Sequence, residues 1–136
     1  MSYPNRTTPG RITSLGRMEV FVFGSNLAGR HGAGAAKYAR EKFGAIYGKG
    51  IGLQGRSYAI PTKDENIQTL PLEEIQQYVT SFVKEAKDMF WLTYLVTEIG
   101  CGLAGYKPED IAPLFKEAIK VENICLPESF WKILIQ

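Results

Sequence analysis

Between Glu19 and Phe43 the chain reads EVFVFGSNLAGRHGAGAAKYAREKF, and this stretch limits the possible folds more than any other. Glu19 to Phe23 is a short β-branched and aromatic run, the pattern of a buried strand. Gly24-Ser25-Asn26 has turn chemistry and is expected to end it. Gly29, Gly32 and Gly34 open a loop, and Ala33 to Phe43 follows with Ala35, Ala36, Ala39 and Phe43 at helical spacing. A strand, a glycine-rich loop and a helix start together make an anion site. The first-turn N–H groups lack partners inside the helix, and its dipole favours negative charge there. Glycine lets that backbone approach a ligand with no Cβ in the way. Two readings follow, a phosphate loop and a tight turn that binds nothing; three glycines in six residues favour the first.

With 136 residues, one domain with one core is expected, Met1 to Thr8 forming a frayed polar end. A net charge of +2 is too small to argue for nucleic acid or a membrane surface. No apolar run is long enough to span a bilayer, and no apolar leader argues for export, so a cytoplasmic protein is expected. Cys101 and Cys125 form no disulfide framework and suit a reducing compartment. One histidine and two cysteines do not build a usual zinc site; no metal and no cofactor is expected.

Further along, five glycines from Gly44 to Gly55 mark a long loop, a mobile lid or a surface excursion. Arg56 to Ile60 reads as a second strand, stopped by Pro61, which leaves Thr62 and Lys63 just past a strand end. Pro71 suits a helix start, and Ile75, Tyr78, Val79, Phe82, Val83 and Ala86 mark one apolar helix face. Leu92 to Val96 is a third strand, running into a second glycine-rich loop from Gly100 to Tyr106. Pro108, Glu109 and Asp110 resemble a helix first turn, though Pro113 predicts that the regular helix begins only around Ala112. Val121 to Leu126 is a fourth strand, and Phe130 to Ile135 docks as a short helix or a strand. Pro9 to Leu15 is open between a short edge strand and irregular chain.

Strands alternating with helices imply an α/β sheet covered on both faces. Ligands of such sheets bind beyond the carboxyl ends of the strands. That rule brings Gly24 to Gly34, Thr62-Lys63 and Gly100 to Tyr106 to one rim, a cleft with two glycine-rich cradles and one lysine. A cleft of this kind suits a diphosphate with a sugar or base on either side.

Three patches resemble the macro domain family, and within it the branch of the terminal ADP-ribose protein glycohydrolase. They are Arg30-His31-Gly32-Ala33-Gly34-Ala35-Ala36 with Lys42-Phe43-Gly44, then Ile60-Pro61-Thr62-Lys63, then Ile99-Gly100-Cys101-Gly102-Leu103 followed by Pro108-Glu109-Asp110-Ile111. Their order and approximate spacing match from Gly10 to about Ile119. The resemblance implies a three-layer α/β/α sandwich around a central mixed sheet, with a cleft for ADP-ribose. It implies that the first loop holds the distal ribose side and that the Gly100–Tyr106 loop wraps the diphosphate. It further implies that Lys63 attacks C1 of the distal ribose. Two positions depart from the family. Ala104 stands where the glycohydrolase has the aspartate that resolves the lysine adduct, and Gly10-Arg11-Ile12 stands where macro domains have an adenine-reading aspartate. Arginine offers donors only and does not accept from an amine.

The expected ligand contacts are Gly24, Ser25, Asn26, Gly29, His31, Gly32, Ala33, Gly34, Thr62, Gly100, Cys101, Gly102, Leu103, Ala104, Gly105 and Tyr106, with Lys63 as the catalytic candidate. His31 contacts phosphate or ribose, carries protons, or faces solvent. Asn26 bonds a ribose hydroxyl or makes an Asx turn. Cys101, with no histidine partner in sequence, reads better as a small packing residue than as a thiolate. Tyr106 stacks on a sugar or base, or covers the core edge. Glu98 is a second candidate carboxylate or a solvated strand-end charge. Arg30, Lys37, Arg40 and Lys42 read as a solvated helix face. The expected partner is ADP-ribose or a related nucleotide, or an ADP-ribosylated protein. The expected function is binding, with hydrolysis through Lys63 and nucleotide sequestration or protein interaction as alternatives.

Overall fold

The computed structural model describes residues 4–136. Period-two alternation in the first strand, β1 (Glu19–Asn26), decides how the layers stack: Val20 and Val22 face one side, Phe21 and Phe23 the other, and all four are buried. A strand buried on both faces needs cover on both. Helix α1 (Gly34–Lys42) covers the phenylalanine side with Ala36 and Ala39, next to Phe43 and Ile12. The valine side packs against α2 (Leu72–Asp88), a 3₁₀ helix (Ala112–Lys120) and α4 (Glu128–Leu134). Each fully buried Val or Phe contributes about 1.5–3 kcal/mol over an exposed one, so the two clusters hold the sheet between them.

The sheet has five strands in the order β2-β3-β1-β4-β5, where β2 is Gly52–Gln54, β3 is Ser57–Lys63, β4 is Thr93–Val96 and β5 is Ile124–Cys125. All neighbours run parallel except the β2–β3 pair, so the sheet is mixed. The chain is therefore an α/β protein with helices on both faces.

Several sequence expectations change at the strand ends. Gly24-Ser25-Asn26 does not end β1 but continues it, paired with β3. Pro61 does not stop β3, because β2 ends opposite Ala59 and beyond it β3 is an edge strand, where a missing N–H leaves no ladder bond unmade. The long glycine loop hides β2, a three-residue strand too short for any periodicity to signal. Pro9 to Leu15 forms no strand; Ile12 is instead buried, and its carbonyl accepts from the Tyr38 hydroxyl at 2.6 Å. Around Pro113 the expected order is reversed: a short α-turn, α3 (Pro108–Ile111), comes first and the tighter 3₁₀ helix follows. Proline has no N–H for the carbonyl four residues back and crowds it, so the α ladder ends there.

Pro4 to Thr8 lies within the part expected to be frayed, yet it is tied down; residues 1–3 lie outside the described residues. The Arg6 guanidinium donates to the carbonyls of Ala118 (2.9 Å), Ile119 (3.0 Å) and Ile124 (3.1 Å) and lies over the Trp131 ring. The Trp131 indole returns a bond to the Arg6 carbonyl at 3.0 Å, and Thr7 pairs with Leu126 beside β5. Among the described residues, no helix is long and apolar enough to cross a membrane.

Candidate ligand-binding cleft

From β1 the chain passes to β3 on one side and then crosses to β4 on the other, so the winding reverses at the carboxyl end of β1. Open α/β sheets bind ligands at such a point. Gly24 is where the segments meet: a Cβ there would stand 3.5 Å from the Gly100 nitrogen and 3.6 Å from Thr62 Oγ1. The β1–β3 register slips between Ser25 and Asn26, so that Asn26 pairs with Lys63 and Thr62 is the extra residue. A bulge of this kind re-aims side chains, and here Thr62 and Lys63, although consecutive, both line the cleft.

Two cavities adjoin at this rim. One, of about 490 Å³, is walled by the carboxyl end of β1, the start of α1, Thr62-Lys63 and the Gly100–Ala104 loop. The other, of about 770 Å³, lies between the Thr7–Gly10 segment, Phe21, Tyr38 and the start of α4. They share Gly34, Ala35, Thr97 and Glu98, so the start of α1 stands between them. No side chain caps α1, and its first turn holds no acidic residue. Its orphan N–H groups therefore remain available to an anion from outside the chain.

Of the residues expected at the site, Gly24, Ser25, Asn26, Gly32, Ala33, Gly34, Thr62, Lys63, Gly100, Gly102, Leu103 and Ala104 line the smaller cavity. Gly29, His31, Cys101, Gly105 and Tyr106 do not. Gly29 presses on the backbone of Gly48 and Lys49, and its N–H-bearing turn is closed by a 3.0 Å bond to the Asn26 carbonyl. His31 is wholly buried, neither at the ligand rim nor in solvent. Its Nε2 faces two acceptors, the Lys49 carbonyl at 3.0 Å and Gln54 Oε1 at 3.2 Å, so Nε2 carries the proton and donates to them. The ring meets Phe23 edge-on at 5.3 Å. Cys101 turns its sulfur back to the Ile99 carbonyl, and burial first, with Glu98 second, pushes its thiol up to about 11. That disfavours the thiolate and matches the packing role. Gly105 closes the loop through its N–H to the Gly102 carbonyl, and Tyr106 donates to the Leu70 carbonyl at 2.7 Å.

Among the lining residues, some polar groups are spent on the fold. Asn26 binds the Arg30 backbone at both ends of its amide (2.9 and 3.0 Å), and Ser25 donates to the Gly50 carbonyl at 2.5 Å. The Gly44–Gly55 loop is thus pinned rather than free: Ser25, His31 and Gln54 bond it, and Gln54 alone donates to two of its carbonyls. Lys63 is different. Among the described residues the only ion pair is Lys132–Glu128, so the Lys63 ammonium has no carboxylate partner. Glu98 lines both cavities, and its Oε2 accepts from Ser129 at 2.5 Å.

Sequence reasoning missed Arg30, assigned to a solvated face but lining the smaller cavity, and also Ile67. Of the larger cavity it had Gly10 and Ile12, through the resemblance, but it missed Thr7 to Pro9 and Pro127 to Ser129, because only the fold brings these segments, far apart in the chain, together. Arg11 is exposed and absent from that wall, although its neighbours Gly10 and Ile12 belong to it. The chain matches no protein-family model, no curated protein and no solved structure.

Proposed function

We propose that the chain binds ADP-ribose, or a nucleotide diphosphate sugar of the same build. The diphosphate lies over the start of α1, the nucleoside occupies the larger cavity, and the terminal ribose enters the smaller one beside Lys63. The observation that carries this reading is the pair of cavities joined at an uncapped helix start. An anion with two bulky ends fits that plan, whereas a simple phosphate leaves both cavities empty. Gly32 and Gly102 support it. Neither has a positive φ, and a Cβ on either would meet nothing within 4 Å. Their lack of a side chain serves neither backbone conformation nor packing, but it leaves room for a ligand. Arg30, exposed on the same wall, supplies a cation for phosphate.

The test is calorimetric titration with ADP-ribose, ADP, ribose 5-phosphate and a non-adenine diphosphate sugar, repeated on Gly102→Glu. Micromolar binding of ADP-ribose that the variant loses supports the reading; no binding to any of them overturns it.

A second reading, hydrolysis of an ADP-ribosyl bond, is favoured by the unpaired Lys63 in the same cavity. In this reading Nζ attacks C1 as the bond from C1 to the leaving carboxylate breaks; one N–H proton of the amine leaves with the carboxylate and the other passes to the ring oxygen, whose opening leaves an imine. Water must then release the sugar, and Ala104, at the wall where an acid would assist, offers no proton acceptor. Borohydride should trap the imine on Lys63 as a stable secondary amine, and Lys63→Ala should show no trapping. Ala104→Asp should raise turnover of an ADP-ribosylated peptide at least about tenfold. No adduct in a protein that binds ADP-ribose leaves the binding reading alone.

A further inference from the structure

The turn after Lys63 contains the only non-glycine residue with positive φ among the described residues, Ile67 at φ 62°. A β-branched side chain is among the least tolerant of that region, since its Cβ crowds the backbone. The turn enforces the conformation. Asp64 Oδ1 accepts from the N–H groups of Asn66 (2.8 Å) and Gln68 (2.9 Å), and the Asp64 N–H donates to the Gln68 carbonyl at 2.8 Å. The Ile67 N–H closes on the Asp64 carbonyl, Thr69 bridges back to Lys63, and Thr69 Oγ1 donates to the Ala104 carbonyl at 3.0 Å. Asparagine or glycine would sit in this position with less strain, and asparagine stands one residue earlier.

Core packing does not offset the strain, because Ile67 belongs to neither hydrophobic cluster. It lines the smaller cavity instead, as do Lys63, Leu103 and Ala104. Leu103 is 69% exposed there, an apolar side chain held at the rim with little to cover it. Strain kept at a cavity wall points to what the side chain offers a ligand.

We infer that Ile67 is a specificity-determining residue. With Leu103 and Ala104 it forms an apolar lip that receives the C–H face of an uncharged terminal sugar and holds it against Lys63. This rests on the diphosphate-sugar reading and assigns the part of the site that tells ADP-ribose from ADP.

The experiment compares wild type with Ile67→Asn, Ile67→Gly and Ile67→Val, reading melting temperature without ligand and affinity for ADP-ribose and for ADP. Asparagine tolerates positive φ without the chain entropy of glycine, so Ile67→Asn should melt about 2–5 °C higher. The same variant and Ile67→Gly should lose about tenfold in ADP-ribose affinity, with ADP unchanged within about twofold. Ile67→Val, which keeps strain and branching, should stay within about threefold of wild type for both. Equal losses for ADP-ribose and ADP, or no loss for either, overturn the inference while leaving the binding reading intact. An unchanged melting temperature in Ile67→Asn overturns its strain argument. Failure of wild type to bind either nucleotide removes the binding reading, and the inference with it.

Discussion

The Gly44–Gly55 and Gly100–Gly105 loops are both rich in glycine, and Gly50 in one and Gly102 in the other use it in opposite ways. In the first, glycine admits other backbone. A Cβ on Gly50 would overlap the Asn26 carbonyl, and one on Gly55 would stand 2.6 Å from the Gly44 carbonyl oxygen. This loop is an inner brace of the β1 end, and Ser25, His31 and Gln54 bond it in place. In the second, Gly102 faces open space without a positive φ, whereas the open glycines of the first, Gly48 and Gly52, have φ of 96° and 91°, a backbone that itself calls for glycine. The contrast teaches that glycine spacing alone does not mark a ligand loop. What sets the proposed ligand loop apart is a cavity-lining glycine, Gly102, that neither close packing nor a positive φ requires.

Three substitutions break or sharpen this contrast. The largest effect is expected from Gly50→Ala, whose Cβ has nowhere to go: a loss of more than about 3 kcal/mol, or failure to fold, by urea denaturation. A loss below about 1 kcal/mol would mean that the brace yields easily and the contrast fails. Next comes His31→Ala, which removes the ring buried on Phe23 and its bonds to Lys49 and Gln54. It should cost about 2–3 kcal/mol, while ADP-ribose affinity measured on the folded fraction stays within about threefold of wild type. A far larger loss of affinity at unchanged stability would return His31 to the ligand. The smallest effect on stability is expected from Gly102→Glu, within about 0.5 kcal/mol of wild type, although it should abolish ADP-ribose binding. A strongly destabilised Gly102→Glu would class that glycine with Gly50.

The cleft was legible in outline because its parts are local signals. The Val20-Phe21-Val22-Phe23 run, the glycines before an alanine-rich helix, and Thr62-Lys63 after a strand each carry their own pattern, and the end-of-strand rule joins them. The role of His31 was not legible, and for Asn26 and Tyr106 the sequence offered a turn bond and a place at the core edge without choosing them over the ligand. Whether a polar side chain in a loop faces ligand or backbone depends on which segment packs beneath it, and for His31 and Tyr106 that segment is remote: Lys49 and Leu70 give no sign of it in sequence. The Pro4–Thr8 anchor escaped for the same reason: one arginine, Arg6, binds three carbonyls more than a hundred residues away.

By itself, then, the sequence determined the alternation of strands and helices, the strand buried on both faces and the residues clustered at one rim, since these follow from side-chain periodicity and backbone preference over a few residues. Tertiary structure alone decided the order β2-β3-β1-β4-β5, the second cavity built from both chain ends, and the left-handed Ile67 at the wall beside Lys63. These depend on contacts between segments far apart in the chain, or on a turn whose hydrogen bonds override the preference of the residue they enclose.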